Sequence, residues 1–142
     1  MSWTPIRQLL PWLPLPPYMV DSADLARLRS ELHTAGFELA EADAPIVGFE
    51  RDLLQVIGGA LAFPEYFRPN WDAFDDCVGD LVRQSAPPTA LLIEGADRFL
   101  KASPHAFLRS AHLLIEVVSA VERERGEFRL EVFFVGSWQV AS

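Results

Sequence analysis

The sequence predicts an α/β domain: a small parallel sheet of about three strands, flanked by helices. Three observations carry this. Residues 89–93 (TALLI) and 130–135 (LEVFFV) are continuous apolar runs, the signature of strands covered on both faces. Strand-like runs alternate with amphipathic helical stretches, which favours parallel strands joined by helical crossovers. The chain has 142 residues and is half hydrophobic, enough for one domain with a core of its own.

Residues 1–20 carry Pro5, Pro11, Pro14, Pro16 and Pro17, which exclude a regular helix. An apolar, proline-rich arm packed over the domain is expected, with a partner-docking arm presenting Trp3 and Trp12 as the alternative. Residues 21–142 form the single domain. Asp21 or Ser22 caps a first helix, Leu25, Leu28 and Leu32 repeat at helical spacing, and Gly36 closes it. Phe37 to Ala40 reads as a short strand, followed by a turn over 41–45. Phe49 to Leu61 is helical, with Leu53, Leu54 and Ile57 inward. A loop, FPEYFRPN, leads into a helix from about Trp71 to Val82. Pro87 and Pro88 break the chain before the TALLI strand. Ser103 caps the last helix, with Pro104 in its first turn. Phe107, Ala111, Leu114, Val118 and Val121 form its apolar stripe, and Gly126 lies past its charged end, before the final strand.

The most informative segment is 63–77, FPEYFRPNWDAFDDC. Wound at about 100° per residue, its helix puts Phe74, Cys77, Val78 and Leu81 on one face and Asp72, Asp76 and Asp80 on the other. The first face suits a core. The second is a ridge of exposed carboxylates beside the rings of Tyr66, Phe67 and Trp71. That surface suits a positively charged protein partner better than a reaction. Helix-dipole stabilisation explains acids in a first turn, such as Asp72 and Asp75, but not Asp80 or the aromatic loop.

Charge and composition exclude several functions. Twenty acidic and twelve basic residues give a net charge of −8, which repels nucleic acid and anionic membranes and favours basic partners. No apolar run reaches the length of a membrane span, and the proline-broken start is unlike a signal peptide, so a cytoplasmic protein is expected. Cys77, the lone cysteine, permits no internal disulfide and no cysteine-based zinc site; on its apolar face it reads as an inert thiol. His33, His105 and His112 lack metal-ligand spacing and read as surface or helix-end residues. There is no phosphate loop and no nucleophile elbow. Asp72 and Asp76 as a Mg²⁺ or acid/base pair would lack further ligands. No catalytic, metal or cofactor residue is assigned, and the chain is expected not to be an enzyme.

At Phe63-Pro64-Glu65-Tyr66-Phe67, Asn70-Trp71-Asp72-Ala73-Phe74 and Asp76-Cys77, the chain resembles the barstar family, intracellular inhibitors of barnase-type ribonucleases. The element order agrees over roughly residues 36–136, and the first 35 residues are additional. The resemblance implies that loop and acidic helix plug a nuclease active site, carboxylates standing in for RNA phosphates. It assigns partner contacts to Tyr66, Asn70, Trp71, Asp72 and Asp76, with Asp76 at the centre; Phe67, Asp75 and Asp80 complete the expected surface. The implied function is an inhibitor or immunity protein, monomeric when free, needing no cofactor, for a basic ribonuclease or toxin. The alternative is a barstar-like module for a non-nuclease partner. Three departures from the family pattern stand out. Arg68-Pro69 follows the aromatic pair where Gly is frequent. Asp75 replaces a common tryptophan. Val121 falls where a contacting Glu can stand, with Glu122 and Glu124 nearby.

Overall fold

A computed structural model describes residues 3–46 and 48–138. The first two residues of the arm and the last four of the expected domain lie outside the described residues. The elements run α1 (Ile6–Leu9), β1 (Tyr18–Asp21), a 3₁₀ turn (Ser22–Asp24), α2 (Leu25–Thr34), β2 (Glu38–Asp43), α3 (Glu50–Ala60), α4 (Trp71–Arg83), β3 (Thr89–Glu94), α5 (Ala96–Ala102), α6 (Pro104–Glu124) and β4 (Leu130–Gly136).

The sheet is all parallel, in the order β1-β4-β3-β2. β3 and β4 are central, which is why they are mostly apolar, with Glu131 the one charged residue inside β4, whereas edge strand β2 alternates exposed and buried positions. One face packs under α3, α4, α5 and α6 through Leu91, Ile93, Leu130, Val132 and Phe134. The other face packs Ala90, Leu92, Phe133 and Val135 against Leu28 and Leu32 of α2 and against Ile6, Leu10 and Leu13.

Four strands form where about three were expected. The fourth, β1, comes from the end of the arm. Pro16 and Pro17 have no N–H to give a ladder, so pairing starts at Tyr18, opposite Phe133. The arm also holds one helical turn, α1, between Pro5 and Pro11; a proline just before the first helical residue costs no hydrogen bond. Both arm tryptophans are half-buried and tethered: Trp3 Nε1–H donates to the Gly126 carbonyl (3.1 Å) and Trp12 Nε1–H to Glu31 (3.0 Å).

Other boundaries shift locally. β2 runs on to Asp43, because parallel pairing with β3 extends to Glu94 and overrides the expected turn. Asp21 caps the 3₁₀ turn through Ala23 N–H, and Gly36 takes the left-handed conformation after α2. Ser103 does not cap α6 with its side chain; its hydroxyl donates to the Gly48 carbonyl (3.0 Å), tying the start of α6 to the segment before α3. α5, absent from the sequence-based expectation, starts after left-handed Gly95 and is too short to show periodicity. In α6 Val118 is half-buried, and Val117 takes the buried position beside Leu114 and Val121.

Candidate functional site

α4 is helical over 71–83 because Asn70 caps it: Asn70 Oδ1 accepts from Ala73 N–H at 2.8 Å. Asn70, expected as a contact, is therefore also the residue that starts the helix. The apolar face is anchored by Phe74, fully buried, with Cys77 and Val78. Leu81, expected inside, is only half-buried, since it lies in the last turns where α4 leaves the core. Burial pushes the Cys77 thiol up, aided by the nearby Asp80 and Asp76 charges, so it is a poor nucleophile.

The loop before α4 splits its two neighbouring rings. Phe67 turns inward and packs edge-on to Phe63 (centroids 5.1 Å apart), lying over buried Gly58 of α3. Tyr66 turns outward and is 75% exposed. Phe67 thus anchors the loop, and Tyr66 is the ring it presents. Trp71 is half-buried, edge-on to Phe74 at 5.5 Å, and its Nε1–H is buried with no acceptor among the described residues.

Asp72, Asp75 and Asp76 are exposed, and no ion pair neutralises them among the described residues. Asp80 departs from the expectation. It is half-buried and ion-paired with Arg83, one turn further along α4, so the ridge is neutralised at that end. Asp75 has its carboxyl pushed up from the usual aspartate range, first by partial burial, then by the charges of Asp72, Asp76 and Glu116. Three crowded carboxylates without an ion-pair partner among the described residues make this part of the surface negative, although Arg68 in the loop and Arg83 and Arg123 along the helices lie near it.

Glu116 belongs to α6 and is the acid that motif spacing missed. It faces Asp75 across a groove between α4 and α6, of about 660 Å³, floored by Trp71, Val78 and Val117. Glu116 also meets His112 at 3.2 Å. Its flank of the buried stripe was visible in the sequence, but no local signal aims that flank at α4. Val121, placed where the family can carry a contacting Glu, is buried in the core, while Glu122 and Glu124 are exposed. His33, His105 and His112 are all on the surface. Among the described residues no helix is long and apolar enough to cross a membrane.

These features define a class: a small parallel α/β protein whose capped acidic helix and aromatic loop stand together at the surface. A family model described as Barstar (barnase inhibitor) matches residues 37–132. The match spans most of the chain, and this protein belongs to the barstar family. The matched span contains the aromatic loop, α4 and Glu116, and leaves out the arm, β1 and α2. No curated protein matches the chain.

Proposed function

We propose that this protein inhibits a basic ribonuclease or ribonuclease toxin by covering its active site with α4 and the preceding loop. The observation that carries it is the unpaired set Asp72, Asp75 and Asp76 beside exposed Tyr66, within the family's matched span. Those carboxylates would take the place of RNA phosphates. Each would receive charge-assisted hydrogen bonds from catalytic Arg, Lys or His, the strong kind. Asp76 is the central contact, Asp72 and Asp75 flank it, and Tyr66, Asn70 and Trp71 border it. Phe67 contributes by holding the loop. Asp80 contributes only if Arg83 releases it. The inhibitor needs no catalysis and no cofactor of its own. It acts in the cytoplasm as a free monomer, residues 21–142 carrying the recognition surface and residues 1–20 an arm whose end, Tyr18 to Val20, joins the sheet as β1.

A second reading has one specific observation in its favour. Arg68 is exposed in the presenting loop, where it would meet a cationic nuclease unfavourably. A basic partner that is not a nuclease, carrying an acid opposite Arg68, would suit it.

The test is an inhibition titration with a small basic ribonuclease from the same source cell. RNA cleavage should be lost stoichiometrically, and association should slow with added salt, as for a sterically specific but charge-steered encounter. Asp76→Ala should speed dissociation by stranding the enzyme's cations in a desolvated interface. Tyr66→Ala and Trp71→Ala should weaken the complex as aromatic anchors do. Asp43→Ala, outside the ridge, should alter little beyond salt dependence. Equal binding by wild type, Asp72→Ala and Asp76→Ala would sink this assignment. A tight complex with undiminished cleavage would favour the second reading.

A further inference from the structure

The segment outside the family match closes a second feature against α6 and β4, which adjoins the acidic groove at Ile115 and Ser119. β1 pairs β4 only from Phe133 onward, so the first half of β4 lies open at the sheet edge. The arm spans that gap without filling it. It leaves a cavity of about 750 Å³ between Trp3, Ile6, Leu15 and Tyr18 on one side and Leu114, Val118, Val132 and Phe134 on the other. That size lies within the range of small-molecule sites, about 300–1,000 Å³.

Its polar centre is made by two charged residues lining the cavity, Arg129 and Glu131, whose side chains are 9% and 11% exposed. The guanidinium of Arg129 lies 5.3 Å from the ring centroids of both Trp3 and Phe37. Its one polar partner among the described residues is Glu131, reached through Nε–H to Oε1 at 3.3 Å, long for a charge-assisted bond. A buried ion pair is well compensated only when its remaining donors and acceptors are also satisfied, and here Glu131 takes Nε alone, leaving the two terminal nitrogens without a protein acceptor among the described residues. Burial pushes the Glu131 carboxyl up; the adjacent Arg129 opposes this and Glu122 adds to it. Glu131 engages only Nε, so the terminal guanidinium nitrogens, at the wall of the cavity, keep donors that an anion can take and an ammonium cannot. A planar guanidinium fork held between rings selects a planar, two-oxygen anion. Arg7, Gln8, Ser119 and Glu122 also border the cavity, one further guanidinium and one further carboxylate among them, and the rest of the wall is apolar.

We propose that this cavity binds a small amphipathic monocarboxylate, its head group on Arg129 and its apolar body along Leu114, Val118 and Phe134. The ligand enters beneath the arm, so the site exists only where the N-terminal extension is present. It is independent of what the acidic ridge binds.

The test is an NMR titration of the full chain with octanoate and 4-phenylbutyrate, with 4-phenylbutylamine as the head-group control. Both carboxylates should give saturable shifts at the Trp3 indole N–H and the Val118 methyls, and the amine should not. Arg129→Lys keeps the charge but loses the fork and should weaken binding about tenfold. Val118→Phe fills the cavity from α6 without touching the ion pair and should weaken it by at least about tenfold at unchanged melting temperature. The proposal is overturned if neither carboxylate shifts these resonances up to about 10 mM. It is equally overturned if the amine binds as well, or if a folded Val118→Phe binds like the wild type.

Discussion

Gly58 and Gly59 are adjacent in α3, yet substitution by alanine should move stability in opposite directions. In a helix each Gly→Ala change gains roughly 0.5–1 kcal/mol of backbone propensity. At Gly59, exposed, an added Cβ meets nothing within 4 Å, so the gain should be realised, reduced somewhat near the helix end. At Gly58 the same atom would lie 2.7 Å from Phe67 Cε2 and 2.8 Å from Cδ2. The ring cannot retreat freely, because Phe63 holds it edge-on. Overpacking of this kind costs about 1–3 kcal/mol, so the net effect at Gly58 should be a loss of up to about 2.5 kcal/mol. Urea unfolding followed by tryptophan fluorescence measures this as a lower midpoint at unchanged slope. In a Phe67→Ala background the clash is gone and Gly58→Ala should become stabilising, a coupling that a double-mutant cycle isolates. Because Phe67 holds the loop that presents Tyr66, Gly58→Ala should also weaken partner binding, whereas Gly59→Ala should not. Equal stabilisation by both substitutions in the wild-type background would refute the packing of Phe67 over Gly58.

Three further outcomes are expected. Phe74→Ala should cost about 3–5 kcal/mol by chemical denaturation, since it empties a fully buried site that also supports Trp71 and Phe63, while exposed Asp76→Ala should cost less than about 1 kcal/mol. Asp75→Asn should raise the melting temperature at pH 7. The folded Asp75 carboxyl lies above its unfolded value, so wild-type stability falls as pH rises through that interval, and the variant's advantage should shrink as pH is lowered toward the ordinary aspartate range. Deleting residues 1–17 should lower the melting temperature, because it exposes the second core that Ile6, Leu10 and Leu13 now cover, each worth about 1.5–3 kcal/mol of burial before chain entropy is subtracted.

Much of the fold and part of the site were legible in the sequence. Helix phase is local, so the winding of 71–82 places Phe74, Cys77 and Val78 inside and Asp72 and Asp76 outside, as found. The doubly covered strands β3 and β4 likewise follow from residues within a few positions of one another, whereas Asn70, read only as a contact, proves to be the cap of α4. The ends of elements were less legible: β2 lengthens only because β3 lies beside it, and Ser103 uses its hydroxyl on Gly48 rather than on its own helix. Asp80 shows the limit on the charged face, where phase placed it on the ridge but the half-burial of the α4 end and Arg83 withdrew it.

By itself the sequence determined the α/β class, the apolar phases of its helices and the segment where aromatic rings and carboxylates meet, because these depend on periodicity and nearest neighbours along the chain. The tertiary structure alone decided which of two adjacent rings faces solvent, Tyr66 rather than Phe67, since Gly58 from a different helix opens the space for one of them. It brought Glu116 opposite Asp75 across two helices. It also turned part of a proline-rich arm into an edge strand over a cavity centred on Arg129 and Glu131. Each of these contacts joins residues distant in sequence, and their energies depend on how whole elements dock, which no local pattern encodes.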